Sequence, residues 1–198
     1  MSGDLRPDVT ITLGPAATGD AAELARVAAA TFPLACPPSV QSADIAAFIE
    51  EHLSEQRFAT YLADRDRRVL VARDGGRLIG YAMLVRGVGS DPAVESAVRP
   101  RPAVELSKMY VLADRHGTGA AAALMNAALE SAAELGASCV WLGANRNNER
   151  AQRFYRKFGF TAVGDRSFRL GSAVECDVVM VRVFGAGVLG RGQPGRIG

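Results

Sequence analysis

The 198-residue sequence has few aromatic residues, few cysteines and no excess of either charge. Aromatic side chains make up only 7% of it, while alanine is the commonest residue, so its core must be built largely from small aliphatic groups. Lys and Arg total 23 against 21 Asp and Glu, a formal net charge of +2. That balance speaks against a nucleic-acid polymer, which would want a basic excess or stripe. No apolar run approaches the roughly 18 residues that span a bilayer. The opening Met1-Ser2-Gly3-Asp4-Leu5-Arg6-Pro7 lacks the apolar centre of a signal peptide. The three cysteines, Cys36, Cys139 and Cys176, are far apart and have no CxxC spacing. An odd, scattered set argues against a disulfide framework and against zinc, and is expected to be three buried thiols. The two histidines, His52 and His116, carry no metal-binding pattern, so no metal is expected. These absences leave a soluble, cytoplasmic protein with neither nucleic acid nor membrane as partner.

What is present reads as one domain over residues 1–184 followed by a glycine-rich tail, 185–198, expected to be disordered. Val9 to Leu13 alternates as a short strand. Asp20 can cap a helix to about Phe32, Phe32-Pro33 through Pro37-Pro38 reads as a turn, and Ser42 can cap a second helix from Ala43 to His52. A third helix covers Glu55 to Ala63. Val69–Arg73 and Arg77–Arg86 flank Asp74-Gly75-Gly76, a strong hairpin signal. Gly87 to Pro102 has little periodicity and reads as a long loop. Val104–Leu112, Ser138–Gly143, Phe160–Val163 and Cys176–Val183 read as strands, Gly119–Leu135 and Asn148–Phe158 as helices. Strands that alternate with helices only in the second half imply an α/β mixed sheet with helices on both faces.

The chemistry is concentrated where the strand Met109-Tyr110-Val111-Leu112 runs into His116-Gly117-Thr118-Gly119 and a helix begins at Ala120-Ala121. The first N–H groups of such a helix have no internal partner and sit at the positive end of its dipole. Glycines let backbone approach an anion, so the turn is either a phosphate cradle or a plain strand-to-helix connection. Walker spacing is absent. Gly117-Thr118-Gly119-Ala120-Ala121-Ala122 fits GxGxx[GA], yet the following strand offers no acid for a ribose, which disfavours a dinucleotide fold.

The same stretch resembles the acetyl-CoA motif [QR]-x-x-G-x-[GA] of the GNAT acetyltransferases, with His116 in the Gln or Arg position. Asn148-Glu149-Arg150-Ala151-Gln152-Arg153-Phe154-Tyr155-Arg156-Lys157-Phe158-Gly159-Phe160 is similar to that family's N-x-x-A-x-x-F-Y-x-[KR]-x-G-F signature. Trp141-Leu142-Gly143, Phe168-Arg169-Leu170-Gly171 and Asp177 ahead of Met180 resemble the spermidine/spermine branch. The resemblance implies a mostly antiparallel, centrally splayed mixed sheet of about six or seven strands. It also implies acetyl-CoA as cosubstrate, no metal, and a monomer or homodimer.

On that footing His116, Gly117, Thr118, Gly119, Ala120 and Ala121 would hold the pyrophosphate. Met109, Tyr110 and Val111 would offer a strand edge to the pantetheine arm, and Asn148 and Lys157 would border the cofactor. The alternative for Asn148 is a helix cap alone. Tyr155 is the candidate acid that protonates the departing thiolate, or else a core tyrosine. Glu105 is the candidate base, or else an exposed strand carboxylate. Period-2 alternation would put Glu105 with Ser107 and Met109 on one face, and Leu106, Lys108 and Tyr110 on the other. Phe32, Cys36, Phe48, Tyr81 and the 87–102 loop would border the acceptor, a region with no evident acidic cluster. Trp141 reads as core. Nothing pairs a cysteine with a histidine, so direct transfer to a small-molecule primary amine is expected. A protein or peptide amine, or a non-catalytic acyl-CoA-binding regulator, are the alternatives.

Overall fold

The computed structural model describes residues 10–171 and 173–185. The chain order is β1 (Ile11–Pro15), α1 (Ala21–Ala35), α2 (Ser42–Leu53), α3 (Glu55–Ala63), β2 (Arg67–Asp74) and β3 (Arg77–Arg86). It continues with α4 (Pro92–Ala97), β4 (Ala103–Val111), α5 (Ala120–Glu134), β5 (Cys139–Asn145), α6 (Glu149–Lys157), β6 (Thr161–Leu170) and β7 (Ala173–Val183). Seven strands form one sheet in the order β1-β2-β3-β4-β5-β7-β6, in which only β4 and β5 run parallel. The mixed α/β class and the seven-stranded sheet agree with the expectation from sequence.

Strand alternation sorts the core into two faces. Leu70, Ala72, Ile79, Ala82 and Leu84 pack under α5 with Leu124, Met125 and Ala128. Val69, Val71, Tyr81 and Met83 point the other way, onto Leu24 and Ala28 of α1 and Phe58 and Tyr61 of α3. The alanines of α5 and α1 let helix backbone lie close to the sheet, which is how a chain so poor in aromatics closes its core.

Four expectations need correction. The 87–102 segment holds a helix, α4. Asp91 caps it by accepting the Ala93 N–H at 2.9 Å, Pro92 opens it, and Val94 and Val98 bury against Trp141, Val179 and Val181. Helix α1 runs past Pro33 to Ala35, because a proline in the last turn removes only one hydrogen bond. Asp20 does not cap α1 with its side chain. It accepts the Ala17 N–H at 2.8 Å and pairs with Arg73 at 2.6 Å. Strand β6 extends to Leu170, well beyond Val163, since its ladder to β7 and not its own apolar pattern holds it extended. The tail, apart from Gly185, lies outside the described residues.

The parallel pair is what opens the molecule. Strands β4 and β5 are partners only at Ala103–Cys139, Val104–Val140 and Glu105–Trp141, then diverge. From Leu106 to Val111, β4 is bonded to β3 alone, and its other edge has no strand partner among the described residues.

Candidate active site

A cleft occupies the splay between β4 and β5 and has two lobes. One, of about 290 Å³, reaches His116 and Ala121 at the start of α5. The other, of about 440 Å³, is walled by Phe32 and Phe48 and by charged residues of β4, β6 and β7. Both touch Ala35, Met109, Tyr110, Asn148, Ala151 and Tyr155, so these six residues form the waist.

The first lobe is built from backbone. Gly117 (φ +81°) and Gly119 (φ +87°) turn the chain through left-handed conformations that a side chain would strain. The first loop-to-helix bond runs from Ala123 N–H to the Gly119 carbonyl at 2.9 Å, so the Ala120, Ala121 and Ala122 amides precede it at the positive end of α5. Thr118 Oγ1 donates to the Arg115 carbonyl at 2.8 Å and stiffens the loop. His116 folds back, its Nε2 lying 3.0 Å from the Val111 carbonyl. Asn148 accepts the Ala151 N–H at 3.0 Å and so caps α6 while also facing the cleft. Lys157 sits exposed on the last turn of α6, outside the cleft lining.

Tyr155 points from α6 to the waist, packed edge-on against Phe154 and Phe160. Burial, with a smaller push from Asp177, raises its hydroxyl to about 12, so it stays protonated through the neutral range.

The second lobe is built from side chains, and a bulge decides which ones. Lys108 stands opposite Met83 but Leu106 stands opposite Leu84, so Ser107 is the extra residue of β4. The expected alternation therefore breaks there. Leu106 and Met109 both pack toward the α5 side, while Tyr110 packs on the other face and Lys108 approaches the Tyr61 ring there. Glu105 and Lys108 consequently share a wall of the lobe.

Burial raises the Glu105 carboxyl above its ordinary value, opposed by Arg166, Lys108 and Arg67. Burial likewise pulls Lys108 down to about 8. Across the lobe, Arg166 bonds Asp177 at 3.2 Å, reaches Glu105 at 4.0 Å and lies 5.5 Å over the Trp141 ring. Gly143 makes room for that pair, because a Cβ there would come within 2.6 Å of both Arg166 Nη2 and Asp177 Oδ2. Glu175 is buried and accepts from Asn145 Nδ2 at 2.9 Å. Phe32 stacks on Phe48 at 4.6 Å, and His52 tilts against Phe48 at 4.5 Å.

Phe32, Cys36 and Phe48 line this lobe as expected. Tyr81 does not. It is wholly buried in the core beneath Phe58. Nor does the 87–102 segment, which packs behind β5 and β7. Trp141 is core, 2% exposed, with its indole N–H donating to the Gly87 carbonyl. Of the cysteines only Cys139 is buried; Cys36 is half-buried and Cys176 exposed. Burial and nearby Glu175 push the Cys36 thiol up, which keeps it a weak nucleophile. No group of three or more His, Cys, Asp and Glu side chains among the described residues is arranged to hold a metal. No helix among them is long and apolar enough to cross a membrane.

No acidic cluster is evident in the sequence around the acceptor region. The fold assembles one from Glu105, Glu175 and Asp177, with Lys108 and Arg166 set among them. The available signal was the alternation Glu175, Asp177, Val179 and Val181 on β7, which places both acids on the face of the buried valines.

The chain is similar to known proteins in sequence and in fold. The profile described as "Acetyltransferase (GNAT) family" matches residues 34–160. An uncharacterized N-acetyltransferase of Mycobacterium tuberculosis is 56% identical over 163 residues, 82% of this chain and 97% of the relative. Another from Lactobacillus delbrueckii subsp. lactis is 26% identical over 141 residues, 71% and 79% of the two chains. Among solved structures, PaiA N-acetyltransferase from Thermoplasma acidophilum in complex with coenzyme A superposes with a TM-score of 0.69. It is 19% identical and the match covers 88% of this chain and 99% of that one. Ribosomal-protein-alanine N-acetyltransferase from Brucella melitensis gives 0.59 at 19% identity, covering 87% and 99%. At such identities the likeness speaks for the fold.

Proposed function

The chain belongs to the GNAT acetyltransferase family, and from that premise we propose that it moves the acetyl group of acetyl-CoA directly onto a small primary amine. The observation that carries this reading is the two-lobed cleft, whose waist holds both the open edge of β4 and the Tyr155 hydroxyl. The residues present fit the cosubstrate. The Gly117–Ala122 backbone would take the pyrophosphate, and the free amides and carbonyls of Met109 to Val111 would pair with the pantetheine arm as a strand does. A β4 N–H would also polarise the thioester carbonyl. When bound, acetyl-CoA supplies the activated acyl carbon and the thiolate leaving group.

The protein then has two protons to manage. An alkylammonium titrates near ~10 and must lose one before it can attack. Glu105, whose carboxyl burial raises above its ordinary value, lines the wall on which that proton is taken up. The second proton leaves as the amide forms, while the thiolate needs one. Tyr155 at about 12 is too weak an acid to give its proton outright to a thiolate whose acid is near ~8.5. It serves as a relay that passes a proton on as it receives one, with no net ionisation. The weakly nucleophilic Cys36 supports direct transfer over a covalent acyl-enzyme.

In the acceptor lobe three carboxylates face two cations, which suits an amine on a cationic chain, the polyamine class among them. A panel of putrescine, spermidine, ethanolamine, lysine and an alanine-initiated peptide, followed by thiol release from acetyl-CoA, tests the reading. Turnover of a small amine above the peptide is expected. Peptide preference would move the assignment to a protein acetyltransferase, and tight acetyl-CoA binding with no transfer would make the chain a binding protein.

A further inference from the structure

We propose that Lys108 is a proton acceptor in the acceptor lobe, taking a proton from the incoming ammonium on the same wall as Glu105; this rests on the acetyl-transfer reading above. The bulge at Ser107 is what brings the side chain into the lobe, because unbroken alternation would separate it from Glu105. Once there, Lys108 is half-buried and has no carboxylate within 4.0 Å among the described residues.

Its surroundings disfavour the charged form. From α3 the Tyr61 ring lies 5.8 Å from its Nζ, a contact that by itself favours the cation, but Arg57 sits over the same ring at 5.6 Å and adds like charge. From β2 Arg67 approaches that ring at 4.7 Å, held by its own pair with Asp64. Three cations thus converge on one phenol ring, and of them Lys108 alone lines the acceptor lobe. On its own strand only Glu105 favours its protonation. Across the lobe the Arg166 and Asp177 pair satisfies itself. Desolvation and like charge therefore bring the lysine down to about 8, so that its free lone pair becomes available as pH rises toward that value.

The step balances without any further reactant. One N–H bond of the acceptor ammonium breaks, and its proton moves to the Lys108 Nζ lone pair. The freed amine forms the bond to the acetyl carbon as the carbon–sulfur bond breaks. The second amine proton reaches the departing sulfur through Tyr155. Lysinium, next to the Glu105 carboxylate, returns its proton to solvent once product has left.

Two measurements test the assignment. The first needs no acceptor: the pH dependence of Lys108 labelling by 1-fluoro-2,4-dinitrobenzene on the full chain, read by peptide mass spectrometry. A midpoint near 8 is expected, and one above 10 overturns the proposal. The second is the pH profile of kcat with the panel amine of highest turnover. Wild type should lose activity as pH falls through about 8. In Lys108→Met and Lys108→Arg kcat should drop by about 10²-fold and that limb should vanish. In Glu105→Gln the limb should move to lower pH, because the removed carboxylate was holding the lysine's proton. An unshifted limb in Lys108→Met overturns the role, with unchanged coenzyme A affinity certifying the fold. Wild type that transfers to no amine sinks acetyl transfer instead, while the labelling midpoint still reports on Lys108.

Discussion

The two lobes of the cleft are made by different means. The lobe at α5 ends on the turn into that helix, where Gly117 and Gly119 hold positive φ and the first helix amides precede the internal ladder, and α1, β4 and α6 complete its lining. The lobe beside β6 and β7 is formed by Glu105, Lys108, Arg166, Glu175 and Asp177, drawn from three strands and held by ion pairs and burial. Backbone amides cannot be substituted away, so the first lobe suits a ligand that never varies. Side chains can be exchanged singly, so the second is where an acceptor would be selected. Tyr155 belongs to both, since it stands at the waist.

That contrast can be broken experimentally, most severely at the waist. Tyr155→Phe should lower kcat by about 10²-fold or more while coenzyme A affinity, measured by calorimetry, changes little. Unchanged turnover would return Tyr155 to the core. Next in size, Glu105→Gln should lower turnover at neutral pH by about 10-fold or more, yet should not cost stability. Because burial raises this carboxyl in the folded chain, its ionised form opposes folding. That penalty is absent below the ordinary carboxylate range and present once pH rises through the folded value. Thermal melts should therefore place the variant at or above wild type at pH 7, with the gap closing in acid. A lower melting temperature at pH 7 would mean that Glu105 chiefly anchors Arg166.

A smaller effect is expected where backbone alone matters. Gly119→Val imposes a β-branched side chain at φ +87°, a strain of about 1–2 kcal/mol, and should weaken coenzyme A about tenfold without altering acceptor selectivity. Gly143→Ala is the mildest and the mirror image. Its Cβ would crowd Arg166 and Asp177, an overpacking of about 1 kcal/mol, raising the acceptor KM several-fold and leaving coenzyme A affinity alone. If either glycine variant affected both ligands equally, the lobes would not be separable.

Legibility in the sequence followed the same division. The glycine turn before α5, the hairpin at Asp74-Gly75-Gly76 and the Tyr155 helix are legible because each is a local pattern of glycine, turn or helical spacing. Strand β6 was cut short because Gly164, Asp165, Arg166 and Ser167 lack an apolar rhythm, and only pairing with β7 makes them extended. Helix α4 was missed because a six-residue helix carries almost no periodicity, although Asp91-Pro92 was a fair start signal. Lys108 was assigned to the face opposite Glu105 for want of a visible bulge.

By itself, then, the sequence determined the order of elements apart from α4, the class of fold and the glycine turn into α5, since these depend on neighbours within a few residues. Tertiary structure alone decided the divergence of β4 from β5, the slip at Ser107 and the gathering of three acids and two cations around the second lobe. Those depend on register between strands distant in the chain. A shift of one residue there exchanges the buried face for the exposed one, and no local pattern in this chain carries that information.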